Sequence, residues 1–294
     1  MAYIAYIPAV AILFGIINTV LIHIAKSMER QGIEIFDQLR AAMKKERIEG
    51  PTKEKLKKPT IYIVGLVLNN LSSLWALLAG LFGPPSMYTS MFGIGLIALL
   101  IYSRKVLKEE THRIEICGAI SIIAGTLIIG LESINRPFMN MASVSILNAF
   151  LAVFIFFIAG AVVIVFSLKW HKSIIGFAFG LVAGGCGGLD PFFKGLLSAE
   201  AQGLVALAFS FVLGTIAFLI TQWGFARKAR ANVLVPAYNS TYVVLPVIFQ
   251  VLLLPGFELY PTTVAGLALV IAGIVLMKAF KPDTGHGAHE KKEE

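Results

Sequence analysis

Polar residues along this chain collect at intervals, and between them run apolar stretches of about twenty residues, the length of a helix that crosses a bilayer. These stretches predict nine spans, at 5–25, 59–82, 86–103, 114–131, 143–168, 173–197, 203–223, 233–254 and 261–280. The sixth carries the sharpest internal pattern. Gly176, Gly180, Gly184 and Gly188 recur every four residues, which draws one bare line along a helix and lets a neighbouring backbone come close. Gly185 and Gly187 flank Cys186, and Asp190-Pro191 follows at once. That run predicts a helix that kinks or unwinds there and borders a binding cavity.

Composition fixes the class. Of 294 residues 57% are hydrophobic and 14% charged, with a mean hydropathy of +0.81, which excludes an ordinary soluble domain. The expected fold is all-α, a polytopic membrane protein. Its net charge of +8 does not point to nucleic acid, because the basic residues fall between apolar spans. Cys117 and Cys186 both sit in apolar sequence, so neither a disulfide framework nor a thiolate metal site is indicated. The opening residues lack the basic region and cleavage site of a signal peptide and are read as the first span.

The distribution of Lys and Arg sets the expected orientation. Ten lie in 26–58, four in 104–113, Lys169 and Lys172 between spans five and six, three in 227–230 and four after Met277, all on one side; only Arg136 and Lys194 fall on the other. This places the N-terminus outside and the C-terminus in the cytoplasm. The expected organisation is a first half at 1–137 with four spans and a basic cytoplasmic loop at 26–58, a second half at 138–281 with five spans, and a disordered tail at 282–294. Within the loop, Ile35, Phe36, Leu39 and Met43 share a helical face. With the lysines at 53, 55, 57 and 58, that face is read as a membrane-surface helix, either regulatory or a plain topology anchor. His286 and His289 are read as part of a solvated tail.

Ionisable residues in apolar sequence carry the chemistry. Asp190 and Lys194 lie four apart, on one helical face, as a candidate ion-coupling pair or as an interfacial pair that satisfies itself. Span two contributes Asn69, Asn70, Ser73 and Trp75; span eight contributes Tyr238, Asn239, Ser240, Thr241 and Tyr242, then Pro246 and Gln250. Uncharged amides and hydroxyls in mid-span suit a neutral or zwitterionic organic ligand, and equally suit hydrogen bonds between helices. Asn70 and Asn239 are the leading substrate-binding candidates, with Tyr238 and Tyr242 as walls and Asn69, Asn18 and Gln222 in support. Trp223 is read as an interfacial marker, and the histidines at 23, 112 and 171 as residues of cytoplasmic span ends. No GxxxxGK, HExxH or GxSxG motif is present, so no enzyme, cofactor or bound metal is expected.

Two segments repeat. CGAISIIAGTLIIG from Cys117 and AGLALVIAGIVLM from Ala265 align so that Gly118 matches Gly266, Ala124 matches Ala272 and Gly125 matches Gly273, with Glu110 and Glu258 before them. Spans four and nine run in opposite directions, so the expected plan is two inverted halves with a site between them. These segments resemble the closing helices of the two halves of the drug/metabolite transporter superfamily (EamA-like), and FARKARANVLVPAYNSTYVVLPVIF resembles its penultimate helix. That family has ten spans, and the count of nine is more similar to its NIPA-type magnesium transporter branch. Phe82, Pro84, Thr89, Gly93 and Lys194 match motif positions of that branch, whereas Ser72, Ser73 and Leu74 stand where it carries an acid.

The uncharged polar residues in mid-span and the resemblance together imply a secondary transporter of a small organic metabolite. The resemblance to the magnesium branch gives magnesium or divalent-cation transport as one alternative, and a membrane scaffold or receptor without transport is another, from a different class. Expected partners are the lipid bilayer and a small-molecule or cation substrate. A second copy of the chain is left open.

Overall fold

The computed structural model describes residues 7–45, 53–80, 82, 89–108, 112–135, 144–169, 174–196 and 203–278, and no strand occurs among them. Nine α-helices are described: α1 Pro8–Lys45, α2 Lys53–Gly80, α3 Gly95–Lys105, α4 Arg113–Asn135, α5 Ile146–Lys169, α6 Ile175–Gly195, α7 Gly203–Ala226, α8 Ala231–Leu253 and α9 Pro261–Lys278. A 3-10 turn at Ser90–Ile94 leads into α3. Among the described residues, six stretches are long and apolar enough to cross a membrane: Ala9–Ile33, Arg113–Glu132, Ile146–Lys169, Ile175–Lys194, Gly203–Ala226 and Ala231–Leu253. The chain is therefore an all-helical membrane protein. The tail with His286 and His289, Pro84, and the side chains of Ile35, Phe36, Leu39, Met43 and of the lysines at 53–58 lie outside the described residues.

Two expectations are corrected. The first helix does not stop at residue 25, and 26–45 is not loop: α1 continues unbroken to Lys45. Its second half is rich in good helix formers and holds one breaker, Gly32, which stands where the helix meets α2 and where a Cβ would collide with Tyr62. The sixth span also does not unwind. α6 is helical through all its glycines and through Pro191. Backbone packing from α8 explains this: a Cβ at Gly180, Gly184 or Gly188 would strike the carbonyl of Leu234, Tyr238 or Tyr242 in turn. The glycines are consumed in bringing two helices together rather than in breaking one.

Register along these contacts gives helix direction. Residues 180, 184 and 188 meet 234, 238 and 242, so α6 and α8 run parallel. On α4 and α9 the order reverses, since Gly118 faces Gly273 and Gly125 faces Gly266. Ser121 Oγ donates to the Leu269 carbonyl between those two crossings, at 2.7 Å. α1 packs against α2, and α6 against α7, in the same reversed sense.

Local sequence fixes the helix ends near the interior. The Glu115 carboxylate accepts the His112 N–H at 3.0 Å, a first-turn acid closing the start of α4, and it faces Arg230 at 3.9 Å across the end of the bundle. The turn between α7 and α8 is a Schellman motif with Lys228 at φ 64°; Ala229 N–H reaches the Gly224 carbonyl at 3.1 Å and Lys228 N–H reaches Phe225 at 2.8 Å. α5 lies on the periphery, with Leu147, Phe154 and Ile155 each more than half exposed.

Candidate functional site

Thr19, His23, Lys26 and Arg30 are spaced four, three and four apart, which places them on one face of α1. All four are buried, as are Asn18 and Glu29. A face of this kind is costly inside a protein unless neighbours supply partners. Four glycines bring the neighbours close. Gly65 lets α2 sit against the Ala25 carbonyl, Gly95 leaves room at the start of α3 for the His23 ring and the Thr19 hydroxyl, and Gly184 and Gly188 seat α8 behind it.

His23 is held from both ring nitrogens. Nδ1 lies 2.6 Å from the Thr19 carbonyl, which only accepts, so Nδ1 carries the proton. Nε2 is then free to accept from Asn239 Nδ2 at 2.5 Å. The same amide also reaches the Phe92 carbonyl at 3.4 Å, and the Thr19 hydroxyl donates to that carbonyl at 2.9 Å. This joins α1, the 3-10 turn and α8. Against it stands an aromatic column: Phe92 stacks on Tyr242 at 3.9 Å between centroids, and Tyr238 lies 5.9 Å from Tyr242.

One turn further along α1, the Lys26 ammonium stands 2.8 Å from the centroid of the Tyr238 ring. The residue is 3% exposed, and its nitrogen has no hydrogen-bond partner among the described residues. The Oδ1 atoms of Asn239 and Asn18 are also buried without one. Next to it, both oxygens of Glu29 are taken: Asn69 Nδ2 donates to one at 3.1 Å and Gln222 Nε2 to the other, while Tyr62 O–H donates to Gln222 Oε1 at 3.2 Å. Four helices thereby close around two buried ionisable side chains, Glu29 lying within electrostatic reach of Lys26.

The structure distributes the sequence candidates unevenly. Tyr238, Asn239 and Tyr242 meet at the interior, and Asn69 and Gln222 join it through Glu29. Asn18 is buried on the same helix. Asn70 is corrected: it is exposed, and its amide donates to the Leu66 carbonyl of its own helix at 2.8 Å. Adjacent residues on a helix point about 100° apart, so α2 aims one asparagine inward and turns the other out. Trp223 is exposed and sits edge-on to Phe179. Gly176 also faces α8, at ordinary contact distance from Val233.

Asp190 and Lys194 pair at 2.9 Å with about a fifth of each side chain exposed, and a Cβ at Gly214 of α7 would lie 3.8 Å from the carboxylate. Asp190 Oδ1 is buried without a hydrogen-bond partner among the described residues, and Pro191 follows in unbroken helix. Tyr238 lies within electrostatic reach of both Asp190 and Glu29. Among the described residues no three His, Cys, Asp or Glu side chains gather as metal ligands.

His23, Lys26 and Glu29 were not among the sequence candidates. His23 is fully buried, not a residue of a span end. The signal was present: the face Thr19, His23, Lys26, Arg30 continues the helical period of the apolar stretch, although a hydropathy window stops at its first charge. Compared with known proteins, the chain matches no family model, no curated protein and no solved structure.

Proposed function

We propose that this protein is a secondary active transporter that moves a small organic metabolite by alternating access, in exchange or with protons. The observation that carries the reading is the buried charged and amide face of α1, His23, Lys26 and Glu29, closed against Asn239 and Tyr238 of α8 and Gln222 of α7. Ionisable groups inside apolar spans are costly, and they mark substrate or proton pathways. In this reading nine spans are arranged with the N-terminus outside and the C-terminus in the cytoplasm.

The packing supports two inverted halves. An interval of 148 residues relates Gly118 to Gly266 and Gly125 to Gly273, and it also relates Ser121 to Leu269. The contact of Gly118 with Gly273 then becomes, on exchange of the two copies, that of Gly266 with Gly125; Ser121 and Leu269 exchange with each other. A local two-fold between α4 and α9 accounts for all three. The pairings α1 with α2 and α1 with α3 also have counterparts in α6 with α7 and α6 with α8. The plan matches that of the drug/metabolite transporters which the closing segments resemble.

Counterflow in liposomes tests the reading. Purified protein loaded with unlabelled compound should draw in the labelled form for at least one member of a panel of amino acids, nucleosides, amines and organic acids. No counterflow across the whole panel would remove it.

A further inference from the structure

We propose that the molecule recognised at this site carries a negatively charged group, a carboxylate or a small phosphorylated group, that seats on Lys26. The inference rests on the transporter reading and deepens it. An ammonium is a triple donor, and inside a protein each donor needs an acceptor. Lys26 is 3% exposed and none of its donors is used within the described residues.

The nearest acid does not meet the need. Glu29 lies one turn on, but its oxygens are drawn toward α2 and α7 by Asn69 and Gln222, and neither is hydrogen-bonded to the Lys26 nitrogen. The other near neighbours of Lys26 are His23, whose Nε2 is filled by Asn239, and the ring of Tyr238. The ring face offers the ammonium a diffuse negative potential but no lone pair, so it acts as a stopper that an anion can displace. When α1 and α8 part, the freed ammonium points between the halves. Asn239 Oδ1, next in sequence to Tyr238, is buried without a partner among the described residues, ready for a donor on the same ligand. Against an uncharged ligand Lys26 would remain unsatisfied, and a cationic one would add repulsion in low dielectric.

Three probes of nearly equal shape separate these cases: benzoate, benzamide and benzylammonium. Their binding to purified full-length protein in neutral phosphatidylcholine nanodiscs is read from the shift in thermal unfolding and from titration calorimetry. The expected order is benzoate well above the other two, by tenfold or more in Kd. Lys26→Met should erase that preference and Lys26→Arg should keep it. Equal binding of benzoate and benzamide by the unaltered protein would overturn the proposal, even if the variants fail to fold, and so would a Met variant that keeps its preference for benzoate.

Anionic lipid headgroups share this chemistry. Adding phosphatidylglycerol to the nanodiscs should leave benzoate affinity unchanged, because Lys26 is enclosed by helices; competition by the lipid would overturn assignment of the seat to a soluble anion. The two readings fail separately. Counterflow confined to uncharged or cationic compounds sinks the anion seat and leaves transport standing. Benzoate selectivity that depends on Lys26, without counterflow of any panel compound, removes transport and leaves the seat.

Discussion

Asn239 Nδ2 donates to His23 Nε2 at 2.5 Å, a bond between residues 216 positions apart that ties the first helix to the eighth. With Thr19 fixing the proton on Nδ1, the imidazole can only accept at this atom. Asn239→Ala removes the donor and leaves a buried ring nitrogen without a partner. The expected loss is about 1–3 kcal/mol of stability, together with loss of counterflow. A variant that unfolds and transports as the unaltered protein does would show that the bond is incidental.

Glu29 should tolerate an isosteric amide no better than an apolar residue. Both of its oxygens accept, one from Asn69 and one from Gln222, so Glu29→Gln sets an N–H₂ against a donor. The penalty expected is about 1–3 kcal/mol by thermal unfolding in detergent. Exchanging the two groups, Glu29→Gln with Gln222→Glu, returns an acceptor to each donor and keeps an acceptor for Tyr62. The double variant should regain most of the loss, and failure to do so would mean that the charge must reside on α1.

The glycines of α6 should differ in their tolerance of a methyl group. At Gly184 and Gly188 a Cβ would meet the α8 carbonyls of Tyr238 and Tyr242, whereas at Gly176 the nearest atoms, on Ala229 and Val233, lie at an ordinary 3.4 Å. Gly184→Ala and Gly188→Ala are expected to cost about 1–3 kcal/mol by forcing the helices apart. Gly176→Ala should be close to neutral. Equal thermal shifts at all three sites would contradict the packing.

Asp190 is the second acid in the proposed pathway, paired with Lys194 at 2.9 Å. If it takes the coupling proton, Asp190→Asn should stop accumulation driven by a pH gradient while counterflow, which needs no net coupling, continues. Lys194→Met alone should cost about 1 kcal/mol in stability, at the upper end for a partly exposed pair. Accumulation that survives Asp190→Asn would leave the pair a structural one.

Orientation is open to direct labelling. In a background with Cys117 and Cys186 replaced by Ser, a cysteine at Glu258 should react from outside intact cells with an impermeant thiol reagent. One at Lys228 should react only after permeabilisation. The reverse result would invert the topology.

The helices were legible because apolar runs of membrane length need no knowledge of partners. Their packing was legible at α6, where glycines every four residues can do little except admit another backbone, although Gly185, Gly187 and Pro191 suggested a break that α8 prevents by packing along the whole helix. The α8 side of the candidate site was legible, since Tyr238, Asn239 and Tyr242 stand out in apolar sequence and meet in the interior. The α1 side was hidden, where the span reads as ending at its first charge, Lys26, because the partners that make Glu29 tolerable lie 40 and 193 positions away. The difference between Asn69 and Asn70 needed the rotation of α2 about its own axis, which a weakly patterned apolar helix does not reveal.

Peripheral α5 has one further consequence, and it concerns parity. Between α4 and α9, the helices that share the two-fold, the proposed topology makes four crossings, α5 to α8, and the number is even only because α5 is there. Without Ile146–Lys169 three crossings would remain, both copies would enter the bilayer from the same face, and α4 and α9 could not meet head to tail. A helix that contributes little to the interior thus determines which way the second copy faces, and with it whether a single central seat can be reached from each side in turn.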